Sequence, residues 1–277
     1  MKESLKKIIK KFIPPILLEW KNQPKSKYGY FGDYKNWEEV KKLSTGYDSD
    51  TVIQKVRASA IQVKNGEKVY ERDSVLFDKI EISWPLLSGL LLVASQNINE
   101  LELIDFGGAL GTSYFQNKKL LGHLKKLNWH IVEQDKFVEI GKKEFTDNVL
   151  DFYYTKELDS LVSSKKPQVM IISSSLQFLP DPKTFLANLP NLNIPYLIFD
   201  KIPFFTEVNM ENRLMLQKVP PKIYPASYPV WIFGENLFIK EMSKNYELVS
   251  DFDAYNARVE KIENGEMHYK GFIWKKK

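Results

Sequence analysis

The stretch Asp105-Phe106-Gly107-Gly108-Ala109-Leu110-Gly111-Thr112 joins an apolar run to a helix-like pattern, and its residue types suit a ligand. Glycines at such a junction let the chain turn sharply and let backbone amides approach a bound group with no Cβ in between. The dinucleotide fingerprint G-x-G-x-x-G does not fit. Counted from Gly107 it meets Ala109 and Thr112, and counted from Gly108 it meets Leu110. The frame that fits is acid-x-Gly-x-Ala-x-Gly on Asp105, Gly107, Ala109 and Gly111. Alanine stands there for a central glycine, so a less close approach is expected at that point. A second acid, Glu133, ends the apolar run Trp129-His130-Ile131-Val132, 22 residues beyond Gly111. An acid at the end of the second strand of an α/β sheet accepts hydrogen bonds from ribose hydroxyls. With no ligand, the same residues would make only a tight turn and a solvated cap.

Such groups need a scaffold, and the apolar runs supply one. From residue 101, short runs at 101–106, 129–133, 149–153, 168–173 and 196–200 alternate with helix-like stretches, which is the signature of βαβ units and a parallel sheet. Five such strands predict a doubly wound sheet with its ligand outside the carboxyl ends. Two further runs, 246–252 and 267–274, are joined through Asn264-Gly265 with no room for a crossover helix, so they must pair antiparallel. Residues 28–100 read as a mostly helical region, with a Gly/Tyr/Trp-rich loop over 28–37 and a buried apolar helix over 84–94. The predicted fold class is α/β: this helical region followed, over 101–277, by a Rossmann-like sheet of seven strands whose last strand is antiparallel.

The 277 residues include no cysteine, which excludes disulfides, thiolate metal sites and a cysteine nucleophile. Forty Lys and Arg against 35 Asp and Glu give a net charge of +5. That charge is confined to residues 1–27, where eight lysines face Glu3 and Glu19, while the rest of the chain sums to −1. A nucleic-acid enzyme spreads positive charge along a groove of the folded domain, so no nucleic-acid partner is expected. Within the tail, Leu5, Ile8, Ile9, Phe12 and Ile13 share one helical face and Lys2, Lys6, Lys7, Lys10 and Lys11 the other. Residues 1–21 are therefore expected either to lie in an anionic membrane interface or to pack on protein. The longest apolar stretch, 84–94, is too short for a span of about 20 residues, and no cleavable leader is evident. The expected location is the cytoplasm, at the inner face of its membrane if residues 1–21 take the first of those two roles.

The loop frame resembles motif I of class I S-adenosylmethionine-dependent methyltransferases. The resemblance implies an S-adenosyl-L-methionine site at Asp105, Phe106, Gly107, Gly108, Gly111 and Thr112, with Glu133 and Gln134 at the ribose. It also implies adenine contacts at Asp151 and Phe152, where the third strand is expected to end, and a cleft lined by Ser173, Ser174 and Gln177. Gly46-Tyr47-Asp48, Tyr70-Glu71-Arg72-Asp73-Ser74-Val75, Asp105-Phe106-Gly107-Gly108, Val132-Glu133-Gln134 and Tyr228-Pro229-Val230-Trp231 are together similar to a group of bacterial methyltransferases associated with surface-polysaccharide biosynthesis. That similarity runs from about residue 28 onward and implies a small-molecule or glycan acceptor.

Methyl transfer is an in-line displacement from a sulfonium, so the protein chiefly aligns the partners and excludes water. A hydroxyl acceptor also needs a base within hydrogen-bond reach. His123, His130 and His268 fall away from the carboxyl edge, which leaves the carboxylates Glu71, Asp73 and Asp200 as catalytic candidates. Arg72, Tyr228 and Trp231 are the candidates for holding the acceptor, by charge and by ring stacking. The bland alternatives are a salt-bridged helix start at 70–73 and a lid or core role for the aromatics. No metal is expected, because the fourth strand delivers only Ser173-Ser174-Ser175 rather than oxygen ligands of the acidic kind. Two rival functions remain open: a nicotinamide-dependent sugar-modifying enzyme, and a non-catalytic membrane-associated scaffold.

Overall fold

The computed structural model describes residues 27–46, 50–72, 74–221, 223, 225–254 and 258–277. The basic segment 1–21, Tyr47, Asp48, Asp73 and Tyr224 lie outside the described residues.

Seven of the strands follow the expected pattern. They are β4 (Glu100–Phe106), β5 (Lys126–Glu133), β6 (Leu150–Tyr154), β7 (Val169–Ser173), β8 (Tyr196–Phe205), β11 (Tyr246–Asp253) and β13 (Gly265–Lys276). Their order in the sheet is β11-β13-β8-β7-β4-β5-β6. Strands β4 to β8 run parallel, and β13 inserts antiparallel between β8 and β11. This is the Rossmann-like α/β sheet with an antiparallel last strand that the sequence predicts. The central strands β4, β7 and β8 are near-continuous buried runs because both faces are covered, whereas the edge strand β11 is largely exposed. On one face lie α2 (Asp50–Lys64), α3 (Trp84–Ser95), α4 (Thr112–Leu121) and α5 (Asp135–Glu144). On the other lie α6 (Leu158–Lys165), α7 (Pro182–Asn188) and α8 (Glu235–Met242). The apolar helix α3 sits directly on the sheet: a Cβ on Gly89 would come within 2.8 Å of Ile198 Cδ1. Among the described residues no helix is long and apolar enough to cross a membrane.

Four features depart from the expectation. The segment read as a Gly/Tyr/Trp-rich loop contains a strand, β1 (Gly29–Tyr34), antiparallel to β9 (Arg213–Lys218), which in turn pairs with β10 (Ser227–Ile232). Its partner lies some 180 residues away, so local pattern alone does not reveal it. A short helix, α1 (Trp37–Lys42), covers this accessory sheet through Val40, Leu214 and Leu216. Residues 70–72, within the region read as mostly helical, form β2 (Tyr70–Arg72) of a hairpin with β3 (Val75–Phe77), and Ser74 makes the bend at φ +64°. Strands β6 and β8 run past their predicted ends, to Tyr154 and Phe205.

The extension of β8 carries a bulge. Ile202 faces Lys270 and Phe199 faces Phe272, so Asp200 and Lys201 together oppose Gly271. Lys201 adopts φ +54°, a left-handed conformation unusual for a residue with a side chain. A Cβ on Gly271 would lie 2.7 Å from Phe199 O, so glycine lets β13 pass close by. A short strand, β12 (Glu260–Ile262), closes a hairpin onto β13.

Candidate active site

Strand β4 delivers the glycine loop at the carboxyl edge. The backbone turns through Gly107 at φ +75°, Ala109 at +50° and Gly111 at +98°, and Gly111 caps α4. Gly107 N–H donates to Val132 O at 2.9 Å and Ser175 Oγ to Phe106 O at 2.7 Å, so strand β5 and the segment after β7 clamp the loop from either side. A Cβ on Gly107 would lie 2.4 Å from Ser175 Cβ, and one on Gly108 2.7 Å from Asp105 Cγ. The loop is thus folded tightly over the Asp105 carboxylate. Ala109 departs from the motif at a position in the left-handed region, where a side chain costs about 1–2 kcal/mol. Alanine there strains the turn itself, an effect beyond the looser approach expected from sequence.

Three carboxylates surround this turn. Asp105 is 1% exposed and accepts from Trp129 Nε1 at 3.0 Å. Glu133, on the same face of the sheet, is 7% exposed and accepts from Gln134 N–H at 3.2 Å. Burial pushes both up to about 7, and the negative charge of Asp105 adds to the rise at Glu133. Glu71, 4% exposed, comes from the β2–β3 hairpin and accepts from Ser74 N–H at 3.2 Å and from Thr112 Oγ1 at the first turn of α4. The structure therefore brings Glu71 and Thr112 together at the loop, although they are 41 residues apart.

Strands β7 and β8 complete the edge. Ser173 Oγ donates to Asp200 Oδ2 at 3.2 Å, and Gln177 Nε2 donates to Ser174 Oγ at 3.1 Å and Lys201 O at 3.4 Å. Asp200 is fully buried, and neither its Oδ1 nor Gln177 Oε1 has a hydrogen-bond partner. Lys201 Nζ stands 3.9 Å from Asp200 Oδ2 and lowers the proton affinity of Asp105 by its charge. Lys201 was not among the sequence-derived candidates, because the predicted strand stops at residue 200. The apolar run Ile202-Pro203-Phe204-Phe205 beyond it was the available sign that the strand continues.

Other predicted residues sit elsewhere. Asp151 faces His130 in the register, three positions short of the edge, where Tyr154 faces Glu133. Its carboxylate accepts from Phe152 N–H at 2.8 Å and Tyr153 O–H at 2.9 Å. Phe152 is fully buried, with its ring against Gly141. Because the strand is longer than its apolar run suggested, the edge presents Tyr154 and Thr155 in their place, and Thr155 Oγ1 donates to Glu133 O at 3.2 Å. Phe106 packs on Phe185 with ring centroids 4.7 Å apart, on the side away from Asp105. Arg72 pairs with Glu81 at 3.0 Å and lies over the Phe77 ring. Tyr228 is buried edge-on to Phe178, and Trp231 Nε1 donates to Leu179 O at 3.1 Å. Those two rings fasten the accessory sheet to the segment after β7. His130 is buried against Glu102, His268 stands 3.9 Å from Glu235, and His123 is exposed on the turn after α4.

No family model matches the sequence, and no curated protein matches it. Solved structures similar to the chain include an S-adenosylmethionine-dependent methyltransferase from Clostridium acetobutylicum, at 13% identity over 68% of this chain and 89% of that one, with a TM-score of 0.41. The N-terminal domain of EvdMO1, in the presence of S-adenosylhomocysteine and D-fucose, is similar at 6% identity over 81% and 97%, with a TM-score of 0.48. The glycopeptide N-methyltransferase MtfA, complexed with S-adenosylhomocysteine, is similar at 10% identity over 69% and 89%, with a TM-score of 0.46.

Proposed function

We propose that the chain is an S-adenosyl-L-methionine-dependent methyltransferase acting on a small-molecule or glycan acceptor. The observation that carries this reading is the set of buried carboxylates around the glycine turn. A helix that opens after such a turn is a ready site for a pyrophosphate. Here Glu71 already bonds to Thr112 in the first turn of α4, with Asp105 and Glu133 beside it. A dinucleotide would meet like charge there, whereas a ligand with an ammonium and a sulfonium meets opposite charge.

The residues present fit that cofactor. Glycines 107 and 108 leave room at places where a Cβ would collide, and Glu133, on top of β5, has acceptor capacity left for a ribose diol. Asp105 with the 108–110 amides of the turn would hold the amino-acid end, since the amides of Gly107 and Gly111 are donated to Val132 O and Gly108 O. When bound, the cofactor supplies an electrophilic methyl carbon on sulfur, and charge is cancelled as the methyl moves. The chain's own part is alignment, exclusion of water and removal of a proton from a hydroxyl acceptor. Glu71 is engaged by Thr112 and Ser74, whereas Asp200 keeps Oδ1 free of protein partners at the edge. Asp200 is therefore the base of this reading.

Calorimetry with S-adenosylmethionine and S-adenosylhomocysteine tests it. Binding of either supports the cofactor, and no binding by folded protein, or a fluorescence response to NADH in its place, rejects it. The motif set supports a surface-polysaccharide precursor as acceptor, and a methyl group missing from cell-surface glycan in a strain lacking the gene would be the matching result. The basic face of residues 1–21 supports docking on an anionic inner membrane surface, to be checked by co-sedimentation with phosphatidylserine vesicles.

A further inference from the structure

The accessory sheet packs its inner face on the part of β8 and β13 that rises past the carboxyl edge, and the character of that interface changes along it. Away from the edge it is apolar: Met215, Val230 and Ile232 meet Phe205, Ile262 and Met267. Two positions nearer the edge, the same faces turn polar, because Gln217 follows Met215, Tyr228 precedes Val230 and Tyr269 follows Met267 at the spacing of a strand. Tyr30, Gln217 and Tyr228 stand in register as one row across β1, β9 and β10. Gln217 Nε2 donates to the Tyr30 hydroxyl at 3.2 Å, and the hydroxyls of Tyr30 and Tyr269 lie 2.7 Å apart. The row borders the candidate site. Tyr228 is edge-on to Phe178, which follows Gln177 in the chain, and Tyr269 faces Pro203, just past Lys201. The buried and unpartnered oxygens Gln177 Oε1 and Asp200 Oδ1 belong to the same end of the sheet.

Apolar side chains suffice to fasten one sheet to another, and a hydroxyl in such a contact costs free energy unless it is paired. Here a chain of polar tips is kept and one end of it is open: Gln217 is half-buried, and its Oε1 accepts no hydrogen bond from the described residues. Burial, together with the neighbouring Tyr269, raises the Tyr30 hydroxyl well above its ordinary value, so it stays a neutral donor and acceptor. The row therefore offers rings and uncharged hydrogen-bonding tips, and no charged side chain belongs to it. An anion would find no cation in the row, and a hydrocarbon would leave its polar tips unmatched.

We propose that Tyr30, Gln217 and Tyr269 line the acceptor subsite and that their ligand is a neutral sugar ring, whose hydroxyls exchange hydrogen bonds with the Gln217 amide and the two tyrosine hydroxyls. The inference takes its purpose from the methyltransferase reading and names the class of acceptor that reading leaves open. Gln217 selects the acceptor and takes no part in moving the proton.

Saturation-transfer NMR tests it, with free D-glucose, D-galactose, D-mannose, L-rhamnose and D-fucose as probes, with and without S-adenosylhomocysteine, on wild type, Gln217→Ala and Tyr269→Phe. Wild type should transfer saturation to at least one of these sugars. Gln217→Ala should weaken that sugar about tenfold, and Tyr269→Phe, which removes one oxygen and keeps the ring, about fivefold. Tyr269→Phe alone carries the test if the alanine variant does not fold. Calorimetry of each variant with S-adenosylhomocysteine separates selection from general damage. Its affinity should match wild type, because Asp105 and Glu133 lie on β4 and β5, away from the row. A fall in cofactor affinity as large as the fall in sugar binding overturns the assignment. So does wild type that binds S-adenosylhomocysteine and saturates none of the sugars, or a sugar held equally by all three proteins. Sugar binding that depends on Gln217 in protein with no affinity for S-adenosylhomocysteine removes the methyltransferase reading and leaves the carbohydrate subsite standing.

Discussion

Glu102 and Asp105 stand three residues apart on β4, on opposite faces of one sheet, and their surroundings have opposite effects on them. Glu102 accepts from His130 Nε2 at 2.5 Å and Asn128 Nδ2 at 2.6 Å, with Lys126 Nζ at 3.7 Å. Burial raises its proton affinity, but those partners outweigh burial and leave it below the ordinary glutamate value. Asp105 has the Trp129 indole and the distant charge of Lys201, and burial carries it up to about 7. A carboxylate satisfied on every side holds a sheet together. One buried with acceptor capacity left over is poorly explained by stability and well explained by a ligand.

That contrast can be broken from either side. The largest effect on folding should come from Glu102→Ala, which strips buried His130 and Asn128 of a charged acceptor. A loss of about 2–3 kcal/mol in urea unfolding is expected, with S-adenosylhomocysteine affinity retained in the folded fraction. Asp105→Asn should do the reverse, folding at least as well as wild type while binding is lost.

Next in size are changes at the edge itself. Glu133→Ala should weaken S-adenosylhomocysteine by at least about tenfold, or about 1.4 kcal/mol, in calorimetry; an unchanged affinity would remove Glu133 from the site. Gly108→Ala, which places a methyl 2.7 Å from Asp105 Cγ, should displace that carboxylate and weaken binding similarly.

The pH dependence sharpens the same contrast. Asp105 and Glu133 are raised to about 7 in the folded protein, so the native state holds protons there that the unfolded chain releases near pH 4. Their contribution to stability is full below about pH 4 and is lost as pH rises through about 7. Glu102, lowered on folding, contributes above the unfolded glutamate value, and that contribution is lost as pH falls through its own folded value. Melting curves at pH 5 and pH 8 should therefore differ less for an Asp105→Asn, Glu133→Gln double variant than for wild type. The smallest expected change is Ala109→Gly, which relieves a left-handed alanine at some cost in unfolded-chain entropy, for a net gain of up to about 1 kcal/mol.

Much of this was legible in the sequence, and the reason is local. The central sheet strands are apolar runs, and the acid-glycine frame at 105–111 and the acid at 133 sit at their ends, so the fold class and the residues at the carboxyl edge follow from pattern and spacing. What escaped was set by distant contacts. Strand β1 exists because Lys218 faces Gly29, and Glu71 matters because a hairpin leans on Thr112. Asp151 lies three positions short of the carboxyl edge for a subtler reason: Tyr154 extends β6 beyond the predicted run 149–153, and only its pairing with Glu133 shows it. Lys201 depends on a bulge, which breaks the very alternation by which strands are read.

The position of β13 has a consequence for how the protein is made. It pairs with β8 on one side and β11 on the other, yet it is synthesised after both. About 60 residues separate the end of β8 from its start, which at ~5–20 residues per second leaves the apolar strand Tyr196–Phe205 with an open flank for seconds on the ribosome. During that interval β8 presents an unpaired edge, and any truncation before Gly265 leaves β8 and β11 unjoined.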